Sequence, residues 1–164
     1  MSLEIVKTSE EEICDLAKLA EEIWRQHFPS IIGNEQVDYM LDKFQSEKAM
    51  KDQLSKGYEY YFLRLDGENI GYFGIQPQDD GTLFLSKLYI RLSERGKGFA
   101  REAFEFMKKL CKERGYCRIW LTVNKYNHST IAVYEKFGMK ILRSQVSDIG
   151  NGFVMDDYVF GYDI

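Results

Sequence analysis

Two stretches of this chain carry residues whose types and spacing suit chemistry. The first is Leu88-Tyr89-Ile90-Arg91-Leu92-Ser93-Glu94-Arg95-Gly96-Lys97-Gly98-Phe99-Ala100. It reads as an apolar strand, a polar turn with two glycines, and the entry to a helix. Apolar residues recur at Phe99, Ala100, Ala103, Phe104, Met107, Leu110 and Cys111, three and four apart, as on an amphipathic helix. The first N–H groups of a helix lack an intrahelical partner, and the helix dipole favours an anion beside them. Glycine removes the β-carbon that would hold a phosphate away from those groups. Arg95 and Lys97 add two positive charges at the turn. The stretch is expected to bind the pyrophosphate of a cofactor. The second stretch runs from Asn124 to Gly138, with Asn127 in a helix-capping position and Tyr134 on the helix that follows.

Three phosphate-binding patterns compete for the glycines. A P-loop needs Gly-Lys-Ser/Thr, but Gly96-Lys97 is followed by Gly98. A dinucleotide fingerprint needs a third glycine where Arg101 sits, and an acid near Arg118-Ile119-Trp120. The pattern Arg/Gln-x-x-Gly-x-Gly/Ala is met by Arg95, Gly98 and Ala100.

With that pattern, and the downstream Asn-x-x-x-x-Ala-x-x-Tyr-x-x-x-Gly of Asn127, Ala132, Tyr134 and Gly138, the chain resembles the GNAT superfamily of acyl-CoA-dependent N-acetyltransferases. The resemblance implies a mixed, mostly antiparallel central sheet flanked by helices and splayed at the cofactor site. It implies acetyl-CoA as cosubstrate, no metal, and a primary amine acceptor attacking the thioester directly. Leu88, Tyr89 and Ile90 would carry the pantetheine arm on their backbone. Arg95, Gly96, Lys97, Gly98, Phe99 and Ala100 would hold the pyrophosphate. Asn127 and Lys136 would contact the cofactor, with Phe137 beside its arm, and Tyr134 would protonate the departing thiolate.

The chain departs from many relatives in one respect. The strand from Thr82 to Ile90 has Phe84 and Ser86 where a glutamate base is common. His27, Glu22 or a water relay are the replacements considered. An amine with a pKa near 10.4 is neutral in about one molecule in 10³ at pH 7, so some group must take its proton. Asp156-Asp157 reads as a solvated strand edge or as a lure for a cationic acceptor. The acidic balance and the Gly150-Asn151-Gly152-Phe153 turn are similar to the polyamine-acetylating branch. The alternatives are a protein or peptide amine as acceptor, or a non-catalytic acyl-CoA-binding module.

The surrounding elements read as α+β. A short strand at Leu3–Lys7 precedes a capping box at Ser9 and Glu12 and an apolar helical stripe from Ile13 to Trp24, broken by Pro29 and Gly33. The aromatic region Trp24 to Tyr39 is expected to close over the acceptor. Helical segments follow from Asn34 and from Glu47. Asp66-Gly67 and Asp79-Asp80-Gly81 join three strands into a meander. A helix to Glu113, a strand at Arg118–Val123 parallel to the one before it, a helix to Phe137 and two closing strands complete the order. Tyr158, Phe160 and Tyr162 mark the last strand as an exposed edge for a homodimer.

At 164 residues, with 45% hydrophobic and 29% charged content, one ordered domain spanning 1–164 is expected. The net charge of −4 and the mixing of signs exclude a nucleic-acid face. Cys14, Cys111 and Cys117 have no disulfide or zinc spacing. No signal peptide or membrane-length apolar run is present in the sequence, so a cytoplasmic protein is expected.

Overall fold

Among residues 2–164, which the computed structural model describes, strands and helices follow the order that the patterns predict. β1 (Leu3–Lys7) precedes α1 (Ile13–His27), α2 (Pro29–Ile32), α3 (Asn34–Phe44) and α4 (Glu47–Ser55). Then come β2 (Glu59–Leu65), β3 (Glu68–Pro77), β4 (Thr82–Ile90), α5 (Phe99–Arg114), β5 (Arg118–Asn124), α6 (His128–Lys136), β6 (Lys140–Gly150) and β7 (Phe153–Asp163). The strands hydrogen-bond in the order β1-β2-β3-β4-β5-β7-β6. The β4–β5 pair is parallel, as a helical crossover requires, whereas β1–β2, β2–β3, β5–β7 and β6–β7 are antiparallel. This is the mixed, mostly antiparallel α+β sheet expected.

The chain divides into two compact units, one of residues up to Gln76 with Lys87–Ala103, the other of Pro77–Ser86 with Phe104–Ile164. In the first, Ile13, Leu16, Leu19, Ala20 and Ile23 of α1 pack with Met50 of α4 and with Tyr60, Phe62 and Tyr72 of β2 and β3. The α1 residues are the apolar stripe at three-and-four spacing, and each fully buried side chain is worth about 1.5–3 kcal/mol. Ser9 N–H donates to Glu12 Oε1 at 3.2 Å, so the capping box forms on the short turn that leads into α1. In the second unit, Phe104 of α5 stacks on Phe137 at 5.1 Å and meets Tyr162 of β7 edge-on at 5.3 Å. The face of β5 and β7 bearing Leu121, Phe160 and Tyr162 is thus the one covered by α5 and α6. No helix among the described residues is long and apolar enough to cross a membrane.

The helical stripe breaks where expected: α1 ends at His27, Pro29 opens the separate α2, where a missing N–H costs nothing, and Gly33 divides α2 from α3. One expectation is corrected. β7 is not an edge, because it lies between β5 and β6, with Phe160 fully buried; the edge strand is β6. Tyr158 and Phe160 therefore have strand partners on both sides, and Tyr162 pairs with Ile119 of β5.

Candidate active site

In the first unit, β4 ends at Ile90 and the chain reaches α5 through a turn in which Gly96 and Gly98 have φ of 76° and 86°. Those values favour glycine, and both residues are exposed with open space where a β-carbon would stand. The N–H of Glu102 bonds Gly98 O at 3.1 Å, so Phe99, Ala100 and Arg101 supply the outward-facing donors of the first helical turn. The backbone here fits a pyrophosphate.

The two basic side chains do not add free charge to it. Arg95 turns back into the protein: its Nε donates to the Ile90 carbonyl at 3.0 Å, and its Nη1 lies 3.0 Å from His27 Nδ1. Burial draws the guanidinium below its ordinary value. Lys97 Nζ is 2.9 Å from the Glu94 carboxylate. Arg95 is thus a shaping residue of the turn. Because a guanidinium only donates, His27 Nδ1 must accept, and a neutral ring carries its proton on Nε2. His27 is not placed as a base, since taking a second proton would set two donors against each other. Glu22 is also engaged, 2.7 Å from Arg91 Nε.

Leu88 and Tyr89 are half-buried. The Tyr89 ring meets Trp24 at 5.4 Å, Phe28 at 5.8 Å and Tyr72 at 5.6 Å. Trp24 and Phe28, expected to cover an acceptor, are buried members of this packing. Lys87, between Ser86 and Leu88, is 5% exposed and donates to Phe44 O at 2.8 Å, to Gln53 Oε1 at 2.7 Å and to the Tyr60 hydroxyl.

In the second unit, β4 and β5 pair over three residues only, Thr82–Phe84 against Arg118–Trp120. The ladder between β4 and β5 ends at Phe84 and Trp120. Phe84 stacks on Trp120 at 4.3 Å, and Trp120 Nε1 donates to Thr82 Oγ1 at 3.1 Å. Neither Phe84 nor Ser86 supplies a base. Tyr134 is 6% exposed, with its ring 6.2 Å from Phe137 and 6.4 Å from Phe160. Burial pushes its phenol well above the usual tyrosine range, so it stays protonated as a donor should. Asn127 is buried at the N-cap position of α6, but its side chain makes no cap bond; Ser129 Oγ donates to its Oδ1 at 3.5 Å. Lys136 is exposed on α6, and Phe137 belongs to the α5 packing.

Asp156 and Asp157 divide sharply. Asp156 Oδ1 is 2.8 Å from Lys125 Nζ. Asp157 is 2% exposed, and burial first, then the Asp156 charge, pushes its carboxyl up to about 6 against the pull of Lys125. The solvated-edge reading of the pair fails for Asp157.

Residues 16–139 match the model of the acetyltransferase (GNAT) family. The chain belongs to the GNAT family. It is 24% identical over 157 residues to an uncharacterised N-acetyltransferase of Lactobacillus delbrueckii subsp. lactis, covering 91% of both chains. It is 24% identical over 161 residues to the spermidine N(1)-acetyltransferase of Thermoplasma acidophilum, covering 95% of this chain and 97% of that one. The crystal structure of the PaiA N-acetyltransferase of T. acidophilum with coenzyme A superposes with a TM-score of 0.84 at 20% identity, covering 100% of both chains. The ribosomal-protein-S18-alanine N-acetyltransferase of Escherichia coli gives 0.72 at 17% identity over 99% of this chain and 94% of that one. This GNAT protein is an acyl-CoA-dependent N-acetyltransferase by family.

Sequence reasoning passed over Lys87 and left Asp157 unresolved. Lys87 could have been found, because Leu83, Leu85 and Tyr89 share its alternate register on β4 and a lysine among them is out of place. Asp157 was hidden by β7 being apolar on both faces, so that alternation pointed nowhere.

Proposed function

We propose that residues 1–164 act as one domain that transfers the acetyl group of acetyl-CoA to the primary amine of a small cationic acceptor of the polyamine kind. The observation that carries acetyl transfer is the buried, protonated Tyr134 on α6, in a chain whose β4 and β5 pair over three residues and which also bears the open glycine turn. The acceptor class is supported by the likeness to a spermidine N(1)-acetyltransferase over nearly the full length of both chains.

In this reading the amides of Gly96 to Ala100 hold the pyrophosphate, and Arg95 shapes the turn that presents them. Lys97, at the same turn, lends its amide while its ammonium stays with Glu94. Leu88, Tyr89 and Ile90 offer backbone to the pantetheine arm, and Asn127 and Lys136 contact the cofactor. The amine nitrogen attacks the thioester carbonyl, the carbon–sulfur bond breaks, and the Tyr134 hydroxyl protonates the sulfur.

The test is release of free coenzyme A thiol from acetyl-CoA with a panel of polyamines, amino acids, aminoglycosides and peptide N-termini. Turnover fastest with spermidine or spermine is expected. Fastest turnover with a peptide N-terminus would move the acceptor to protein, and tight acetyl-CoA binding without turnover on any amine would leave a binding module. Tyr134→Phe should lower kcat about 10²-fold with acetyl-CoA affinity unchanged; an unchanged kcat would remove Tyr134 from its role.

A further inference from the structure

Among the described residues the outer strands of the sheet are β1 and β6, and they differ as edges. β1 is five residues long, and its Lys7 is tied to Glu59 of β2 at 3.4 Å. A short, charged edge offers little to another strand. β6 runs for 11 residues without a proline and pairs with β7 alone. Its two bulges, at Ile141/Arg143 and Asp148/Gly150, leave Arg143 to Asp148 in regular register between them. Alternate residues of that run turn their N–H and C=O groups away from β7, in a row open to a further strand.

The same edge is apolar where it meets water. Ile141 is 50% exposed and Val146 67%, and Val154 of β7, diagonal to Val146, is 51% exposed. Register with β7 puts Ile141, Ser144, Val146 and Asp148 on one face of β6, across from Phe160, Tyr158, Asp156 and Val154. Charge along the strand has a direction, with Lys140 and Arg143 in its first half and Asp148 in its second, all exposed. A second β6 laid antiparallel about an axis near Ser144 would set the basic half of each strand beside the acidic end of the other. It would also bring Ile141 alongside Val146 of the second copy. A parallel strand would instead set like charges together, so the edge complements itself in the antiparallel sense alone.

We propose that this chain forms a homodimer through antiparallel pairing of β6 with β6 of a second copy. The partner is a second copy rather than a foreign strand because the charges of β6 match their own reverse order. A twofold of this kind uses the β6 edge of each copy once and leaves only the short β1 as an outer strand, so assembly closes at two chains. The dimer expected from the last strand is thereby moved to its neighbour, since β7 is enclosed by β5 and β6. The pairing is independent of which amine is acetylated.

Sedimentation of the full chain at micromolar concentration tests this, and wild type should have the mass of two chains. Lys140→Glu combined with Arg143→Glu leaves β6 only acids, and Asp148→Lys leaves it only bases. Each of these variants alone should dimerise about tenfold or more weakly than wild type, and more so at low salt. Mixed in equal amounts, the two should restore a dimer holding one chain of each, resolved by native mass spectrometry. Ser144→Cys, near the axis, should crosslink two chains on mild oxidation beyond the level of wild type, whose Cys14 and Cys117 are exposed. Monomeric wild type, or a mass that keeps growing with concentration, overturns the proposal. So does a charge-reversed variant that dimerises as wild type does, or a mixture that stays monomeric. Should the charge-reversed chains fold poorly by circular dichroism, Ser144→Cys decides, and crosslinking no greater than in wild type overturns the pairing.

Discussion

Lys87 and Asp157 are both charged residues buried to within a few per cent, one in each unit, and they are opposites in company. The Lys87 ammonium has three hydrogen bonds to donate and three oxygens to receive them: the Phe44 carbonyl, Gln53 and Tyr60. It joins β4 to the end of α3, to α4 and to β2. Asp157 has no such partners among the described residues. Burial pushes Lys87 down to about 7, against the pull of oxygens that favour its charged form, and pushes Asp157 up to about 6. A shifted pKa alone would flag both as functional. The hydrogen-bond inventory separates them: three oxygens compensate the burial of Lys87, whereas the burial of Asp157 is offset only by the charge of Lys125.

Substitution should pull the two apart. Lys87→Ala removes a buried side chain and three hydrogen bonds, although the Phe44 carbonyl keeps Gln53 Nε2 and Gln53 Oε1 keeps the Tyr60 hydroxyl as donors, so stability should fall by about 2–4 kcal/mol in denaturant unfolding. Asp157→Asn keeps the shape and removes a charge that the fold does not solvate. It should raise stability at pH 7 by about 1–3 kcal/mol. A stable Lys87→Ala would break the contrast from one side, and a destabilised Asp157→Asn from the other.

The pH dependence of stability gives a second separation, with opposite signs. Between about pH 4 and 6 native Asp157 binds more protons than the unfolded chain, so its contribution falls as pH rises through that window. Between about pH 7 and 10.5 native Lys87 binds fewer protons than the unfolded chain, so its contribution rises with pH. Both groups carry charge near pH 6–7, where their joint penalty is greatest. Urea midpoints across pH 4–10 should lose the lower slope in Asp157→Asn and the upper slope in Lys87→Met. A slope that survives its substitution would assign the titration elsewhere.

How much of this was legible in the sequence depends on whether the signal was local. Turns and helix ends were: Asp66-Gly67 has φ of 51° and 82° at the hairpin, and Gly115 closes α5 with a positive φ. The glycine turn and Tyr134 were readable because backbone approach to a phosphate constrains residue types along the chain. The fate of Arg95 was not, since its partner His27 is 68 positions away and nothing in either neighbourhood announces the other. The position of β7 inside the sheet was missed for a similar reason. Its two apolar faces look the same whether the strand is internal or an edge, and only its pairing with both β5 and β6 decides it.

Arg95 stands between the two extremes of the comparison, a half-buried cation with one backbone acceptor and one that depends on a tautomer. Its guanidinium links three things: the end of α1 through His27, the end of β4 through the Ile90 carbonyl, and the start of the glycine turn through its own backbone. If partnered charges are structural, loosening this link should disturb how the turn presents its amides and leave the chemistry at Tyr134 alone. His27→Ala should therefore raise KM for acetyl-CoA several-fold, on the order of 1 kcal/mol for one hydrogen bond to a charged group, with kcat nearly unchanged. His27→Gln can offer its side-chain oxygen to Arg95 and should recover most of the affinity. A fall in kcat at constant KM would show instead that His27 acts at the reacting atoms, and would return it to the list of proton acceptors from which its contact with Arg95 removes it.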